Sequence, residues 1–351
     1  MTEWKEYKLG DVATFAYGKL PKKELLGKGN YITFSGYKYV DSYPEYNCEK
    51  RDVILVARGV GGTGDVKLTK QRCFLTNLSI KIVLDNSIVL NDYFYNMFRQ
   101  ENLRYLDSGS AQSQITIQDL ANVIIEVPSV DVQGKITSII SSLDDKIDLL
   151  HRENATLEQM AETLFRQWFV VEAKEEWDEV RLEDIAILNA GGDKPKNFSP
   201  IRTKDLSVPI YSNGIDNEGL YGYTDKAKIL EESVTISARG TIGYVVLRTE
   251  PFVPIVRLIT MQPKDFVTSK FLYFWAKNQN INGTGTTQQQ LTVPDFKQTK
   301  VLLPEKELIE KFTSIVNQYY NKILTNKQQI NTLIKTRDGL LPRLMGGEIK
   351  I

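Results

Sequence analysis

The chain has 351 residues, with 44 Lys+Arg against 44 Asp+Glu, so its formal charge is zero. That length suggests two or three domains with real cores, and an apolar fraction of 42% with 23 glycines excludes both a disordered and a collagen-like chain. Two cysteines, Cys48 and Cys73, and one histidine, His151, exclude a disulfide scaffold, a zinc site built on Cys or His, and any chemistry needing a second histidine. No apolar run reaches the ~20 residues of a membrane span. Met1 to Lys5 form no apolar signal region, which points to a cytoplasmic protein with reduced thiols.

In chain order, Tyr7-Lys8-Leu9-Gly10-Asp11-Val12-Ala13 opens a region, residues 1–130, that reads as short strands broken by Gly, Asn and Asp turns. Val53 to Val56 and Ser79 to Leu84 are examples, and a helical patch from Asn91 to Gln100 interrupts them. A long helix follows over residues 131–173. The pattern then returns. Tyr7–Ala13 reappears as Val180-Arg181-Leu182-Glu183-Asp184-Ile185-Ala186, Ala57-Arg58-Gly59 as Ala238-Arg239-Gly240, and Gly109–Thr116 as Gly285–Thr292. Lys135–Ile140 likewise reappears as Lys311–Val316, and Ser269 to Asn278 answers the helical patch. The offset is half the chain, too long for a solenoid, so a unit of strands plus one long helix is duplicated in tandem. The second copy occupies residues 174–304, with its helix over 305–351.

The helices carry heptad seams. Ile136, Ile140, Leu143, Ile147, Leu150, Asn154, Leu157, Ala161, Leu164 and Trp168 alternate steps of four and three, as do Phe312, Val316, Tyr319, Ile323, Asn326, Ile330, Leu333, Arg337, Leu340 and Leu344. At 1.5 Å per residue each seam is ~50 Å long, and Pro342 marks where the second would bend or end. A narrow apolar seam needs a partner, and the other seam is the obvious one. In a centred antiparallel register Asn154 falls opposite Asn326, a polar layer that would fix register at some cost in stability. The expected fold is therefore α+β: two tandem α/β domains, each followed by a long helix, with the helices forming an antiparallel coiled coil of pseudo-two-fold symmetry.

Charge divides unevenly. Residues 1–130 and 174–304 are nearly neutral, residues 131–173 carry 4 basic against 8 acidic side chains, and residues 305–351 carry 8 against 5. Opposite signs favour pairing of the helices. Basic residues of the domains gather in loops: Lys19, Lys22 and Lys23 in copy one, and Lys194 and Lys196 beside Asp193 in copy two. Phosphate contact needs such cations, and base reading needs polar side chains at groove edges. Ser110, Gln112 and Gln114 supply these in one copy, and Thr286, Thr287 and Gln288 in the other. Ser35, Tyr37, Arg58, Tyr211, Asn213, Arg239 and Thr241 complete the candidate DNA contacts, Arg58 and Arg239 at the mouths of equivalent turns. The tyrosine series Tyr31, Tyr37, Tyr39, Tyr43 and Tyr46 suits base stacking but fits strand packing better. His151 is expected on the surface, and the cysteines in the packing.

Gly59-Val60-Gly61-Gly62-Thr63-Gly64 has the outline of a dinucleotide fingerprint, with Asp85 downstream. That motif must open a helix, whereas residues 65–74 look like a strand, so a hairpin turn is expected. An enzyme using this loop for a nucleotide or S-adenosylmethionine is the alternative, and a structural coiled-coil adaptor a third.

The assembled segments resemble the specificity subunit of bacterial type I restriction–modification enzymes over nearly the whole chain. Leu157-Glu158-Gln159-Met160-Ala161-Glu162-Thr163-Leu164-Phe165-Arg166-Gln167-Trp168-Phe169-Val170 looks like that family's central helix end. Thr336-Arg337-Asp338-Gly339-Leu340-Leu341-Pro342-Arg343-Leu344-Met345-Gly346-Gly347-Glu348-Ile349 looks like its distal one. Trp4 to Phe15 and Trp177 to Leu188 look like the starts of its two target-recognition domains. The resemblance implies a non-catalytic DNA-reading subunit, each domain taking half of a bipartite site. It implies two methyltransferase subunits docking at Leu164, Phe165, Trp168, Phe169, Leu340, Leu341 and Leu344, with motor/nuclease subunits joining them. S-adenosylmethionine, ATP and Mg would then belong to the partners. No catalytic tetrapeptide of the Asn/Asp-Pro-Pro-Tyr/Phe type is present.

Overall fold

Strands form where β-branched and aromatic residues run between turn residues, and they do so twice in the same order. The computed structural model describes residues 4–36, 38–59, 62–107, 114–281, 290–349 and 351. They fall into two units: Met1–Leu149 with Gln329–Ile351, and Leu150–Gln328.

Unit 1 begins with β1 (Lys5–Lys8), α1 (Leu9–Val12), β2 (Ala13–Tyr17), β3 (Tyr31–Ser35) and β4 (Lys38–Tyr43). It continues through β5 (Val53–Val56), β6 (Val66–Leu68), β7 (Cys73–Leu75), β8 (Ser79–Leu84), α2 (Asn91–Met97), α3 (Ile117–Ala121) and β9 (Ile124–Val127). The long helix α4 runs Val130–Arg166. An antiparallel sheet of order β2-β8-β5-β6 lies with a second, β4-β3-β7, in which β3 and β7 are parallel, and with the pair β1-β9.

Unit 2 repeats this with β10 (Asp178–Arg181), α5 (Leu182–Ile185), β11 (Ala186–Ala190), β12 (Val208–Tyr211), β13 (Leu220–Thr224), β14 (Ser233–Ile236) and β15 (Val245–Arg248). After β16 (Val253–Pro254) and β17 (Ile259–Pro263) come α6 (Ser269–Lys277), α7 (Val293–Lys297), β18 (Lys300–Leu303) and α8 (Lys306–Met345). Its sheets, β11-β17-β14-β15, β13-β12-β16 and β10-β18, match those of unit 1 strand for strand, including the parallel pair β12–β16. The duplication read from sequence is a duplication of topology.

Each unit contains an antiparallel helix pair. In unit 1, Asp144 of α4 meets Arg337 of α8 at 2.8 Å, while Ile136 and Ile140 share a core with Leu341 and Leu344. In unit 2, Asn326 Nδ2 donates to Asn154 Oδ1 at 2.8 Å and to Glu153 at 3.0 Å, and Phe165 packs on Phe312 further along. Asn326 is fully buried, so these bonds satisfy a donor that water cannot reach. None of the seam positions is exposed, whereas the out-of-phase Leu149, Met160 and Leu324 are 49, 46 and 52% exposed.

Pro342 does not end α8, which continues to Met345. A proline leaves the carbonyl four residues earlier without its N–H, here Asp338. The Gln100 side chain supplies the missing donor, its Nε2 reaching the Asp338 carbonyl at 3.1 Å.

The helix after each main sheet is tied to the long helices by one cation. Arg99, following α2, forms a paired contact with Asp144, Nη2 to Oδ1 at 2.9 Å, and Arg337 approaches the same carboxylate. Burial pushes the Asp144 carboxyl upward, but the hydrogen bonds and charges of both arginines outweigh it and hold it below the usual carboxylate range. Lys277, at the end of α6, meets Glu158 at 3.2 Å and Glu162 at 3.0 Å, with the Tyr273 hydroxyl donating to Glu158 at 2.5 Å. Glu158 is likewise held low: burial raises it, and the Tyr273 hydrogen bond and the Lys277 charge more than offset the rise.

Candidate nucleic-acid interface

In unit 1 the candidates gather around the turn Thr76–Ser79, which joins β7 to β8. Lys19 bridges Thr76, the Ser35 hydroxyl lies 3.4 Å from the Thr76 hydroxyl, and the Ser79 hydroxyl donates to the Gly36 carbonyl at 3.2 Å. The Leu78 carbonyl accepts the N–H groups of Ala57 and Arg58, both at 3.0 Å. Arg58 in turn bridges Gln114, whose N–H donates to Asp107 at 3.2 Å, so both ends of the polar loop are anchored beside the arginine. Lys22 and Lys23 are exposed nearby in sequence, and the Lys22 backbone N–H donates to the Tyr43 hydroxyl at 3.1 Å.

The glycine motif lies in the same region. β5 and β6 are antiparallel, with Val53 opposite Leu68, and Gly59 and Gly64 both take positive φ between them. A Cβ on Gly64 would sit 2.4 Å from the Arg104 nitrogen, which explains the glycine by close packing. No helix follows the loop, so the strand–turn–helix geometry of a dinucleotide site is not met. The enzyme alternative built on it is not supported.

Unit 2 builds the corresponding hub at Ile255–Leu258. Gly192 bridges Ile255, and Arg239 donates through Nε and Nη2 to Gln290 Oε1 at 3.1 and 2.9 Å, the counterpart of Arg58 beside Gln114. Asn213 uses both ends of its amide: Nδ2 donates to the Val256 carbonyl at 2.6 Å, and Oδ1 accepts from Ala238 N–H at 2.7 Å. That oxygen does for Ala238 what the Leu78 carbonyl does for Ala57. Asn213 is thus a clamp, with its hydrogen-bonding groups committed inside the unit.

Tyr211 is 9% exposed, with its hydroxyl 3.3 Å from Glu250 and the Arg248 guanidinium 3.6 Å over its ring. Burial pushes the phenol up to about 12. It is a packing residue rather than a surface contact. Arg248, itself 3% exposed, donates to Thr235 at 3.0 Å and to the Glu218 carbonyl at 2.6 Å, and burial lowers its pKa. It holds the β12–β13 loop, where Asn217 and Glu218 take left-handed φ of +47° and +55°. Non-glycine residues there cost roughly 1–3 kcal/mol each and persist only where neighbours fix them. Arg248 stands in no repeated motif or basic cluster, so nothing in the sequence marks it.

Lys194 sits 3.8 Å over the Phe198 ring, while Asp193, Lys196 and Thr241 are exposed. Tyr37, Ser110, Gln112, Thr286, Thr287 and Gln288 lie outside the described residues. Tyr43 stacks on Phe74 with centroids 4.0 Å apart, and Tyr39 packs edge-on against Phe34, consistent with strand packing. Cys48 and Cys73 are buried and free, facing each other across a backbone bridge; His151 is exposed.

The proposed docking residues need correction. Phe165 and Phe169 are 2 and 8% exposed within an aromatic cluster with Phe271, Phe274, Phe312 and Trp177. Leu341 and Leu344 are both 2% exposed in the core of unit 1, with Leu340 partly buried against it. These side chains fill their own units and offer a partner no surface. Trp168 and Leu164 are only partly buried. Trp168 lines a cavity of about 640 Å³ with Trp177, Leu308 and Lys311, and Val170 and Val171, which follow in sequence, are 54 and 70% exposed. Among the described residues no helix is long and apolar enough to cross a membrane, and no cluster of three His, Cys, Asp or Glu suits a metal.

Comparison with known proteins places this geometry in context. The sequence family described as "Type I restriction modification DNA specificity domain" matches residues 1–159 and 174–336. The chain is 24% identical to the type I restriction enzyme MjaIX specificity subunit of Methanocaldococcus jannaschii, covering 99% of this chain and 94% of that one. It is 23% identical to the HindI specificity subunit of Haemophilus influenzae, covering 99% and 100%. Among solved structures, the S subunit of a type I restriction–modification system from M. genitalium superposes with a TM-score of 0.66 at 20% identity, covering 98% and 96%, a likeness of fold.

Proposed function

The chain belongs to the type I restriction–modification DNA specificity family, and from that premise we propose that each unit reads one half of a bipartite, asymmetric DNA site. The observation carrying this is the duplicated hub: one topology twice, with Arg58 beside Gln114 and Arg239 beside Gln290, set among unlike loops. Like scaffolds with unlike loops read unlike half-sites.

In this account residues 1–130 and 174–304 are the target-recognition domains, and residues 131–173 and 305–351 are helices that set the spacing between half-sites. A seam of ~50 Å exceeds the ~34 Å of one DNA turn, enough for successive major-groove faces. Two methyltransferase subunits dock on the helices around Trp168, Leu164 and the exposed Val170 and Val171, and motor/endonuclease subunits join through them. S-adenosylmethionine, ATP and Mg serve those partners, and this chain contributes recognition without catalysis in the cytoplasm. The test is a footprint of the assembled complex before and after exchange of residues 1–130 for those of another family member. One half of the footprint should move while the other stays; an unmoved footprint, or a shift of both halves, would count against the proposal.

A further inference from the structure

Unit 2 makes its central turn in a hand that its residues disfavour. Val256 and Arg257 take φ of +52° and +61°, and the Leu258 N–H closes the turn on the Ile255 carbonyl at 3.0 Å. Two consecutive left-handed residues call for Asn-Gly or Asp-Gly, and a β-branched residue there is a genuine outlier. The chain instead places valine and arginine, both exposed, Val256 at 50%. Copy one needs no such strain: the turn Thr76–Ser79 closes in the same way at 3.1 Å without positive φ at Asn77 or Leu78.

The surroundings hold this strain in place. The Val256 and Arg257 N–H groups donate to Gly192 and Gly191 at 2.9 and 3.0 Å, and Asn213 binds the Val256 carbonyl. The other end of Asn213 holds Ala238, next to Arg239. The turn is thereby fixed at the hub, next in the bonding network to the arginine that unit 1 duplicates as Arg58. Among the described residues no carboxylate pairs with Arg257, whereas Arg248, Arg99 and Arg337 are all committed to partners. Unfavourable turn residues with exposed side chains, locked by four hydrogen bonds, are kept for what those side chains touch.

We propose that Val256–Arg257 is the specificity-determining turn of unit 2, with Arg257 presenting its guanidinium fork to a base edge in the major groove and Val256 packing beside it. This rests on unit 2 being a DNA reader. A phosphate contact needs only a cation, which lysine supplies as well; a paired contact to guanine O6 and N7 is oriented by the planar fork, and lysine is not a conservative replacement there.

The experiment maps methylated motifs in cells carrying the full chain with its methyltransferase partner, alongside thermal melting of the purified chain. The double variant Val256→Asn/Arg257→Gly installs the residues this turn prefers, so its melting temperature should stay level or rise by a few degrees. Its motif should nonetheless lose discrimination, roughly 10- to 100-fold, at one or two positions of one half-site. Arg257→Lys should relax the same position while methylation persists. A stable double variant with an unchanged motif would overturn the proposal, as would an Arg257→Lys protein that reads the wild-type motif. So would relaxation in both halves. A wild-type motif that is continuous would instead remove the premise that unit 2 reads its own half-site, and this proposal with it.

Discussion

The two units solve the same mechanical problem with different side chains. Arg99 and Lys277 occupy the same place after the same helix, each stacked on a tyrosine four residues earlier, at 5.6 and 5.4 Å. Arg99 finds Asp144, a carboxylate it shares with Arg337 of α8; Lys277 finds Glu158 and Glu162 on α4. The hubs differ in the same sense. Unit 1 satisfies Ala57 with the Leu78 carbonyl, and unit 2 satisfies Ala238 with the Asn213 side chain. Backbone framework is shared and side-chain partners are not, which is what a duplicated scaffold turned to unlike targets requires.

The largest expected effect tests whether the cores are separate. Phe165→Ala should cost about 3–5 kcal/mol by emptying the aromatic cluster of unit 2. Hydrogen exchange should show α6 and β17 losing protection while β5 and β8 of unit 1 keep theirs; equal loss in both would break the comparison. Asn213→Ala should cost about 1–3 kcal/mol, since it strands a backbone donor and a backbone acceptor. The corresponding change in unit 1, Gly36→Ala, removes no such bonds and offends only a left-handed turn at φ +61°. Chemical denaturation should show the larger loss for Asn213→Ala, and hydrogen exchange should confine each loss to the unit that carries the substitution.

Smaller effects sharpen the helix attachments. Asp144→Ala leaves Arg99 and Arg337 facing each other, and because the carboxylate is a third exposed the loss should be only about 1–2 kcal/mol. Glu158→Gln should cost less, about 0.5–1 kcal/mol, because Lys277 keeps Glu162. Both carboxyls are held below their ordinary values in the folded chain. Their contribution is therefore complete above the unfolded values near pH 4 and fades as pH falls through the folded ones. Acid titration should show Asp144→Asn and Glu158→Gln proteins losing less stability below about pH 4 than the parent; identical acid slopes would contradict these assignments.

Much of this was legible in the sequence because periodicity reports which face is buried. The seams, the duplication and the meeting of Asn154 with Asn326 all follow from spacing alone. Pro342 marks Asp338 as the orphaned carbonyl, but spacing does not say which donor reaches it, so the service of Gln100 could not be read. Nor does it say where an apolar face ends: Phe165, Phe169, Leu341 and Leu344 resembled a docking surface yet fill the cores of their own units. Asn213 and Tyr211 looked available because a side chain's type reveals its capacity to bond, not whether a neighbour already claims it. Arg257 is unremarkable in sequence, and only its backbone hand marks it.

Near-neutral recognition regions make phosphate attraction weak for the chain alone, so tight binding should appear only with partner subunits and local loop cations. The central claim is that each unit reads its own half-site. Motif mapping of methylated DNA, with residues 1–130 and 174–304 exchanged in turn for those of another family member, tests it most directly. A split motif in which each exchange rewrites one half and leaves the other intact is the expected result. A continuous motif, or one that changes throughout with either exchange, would contradict it.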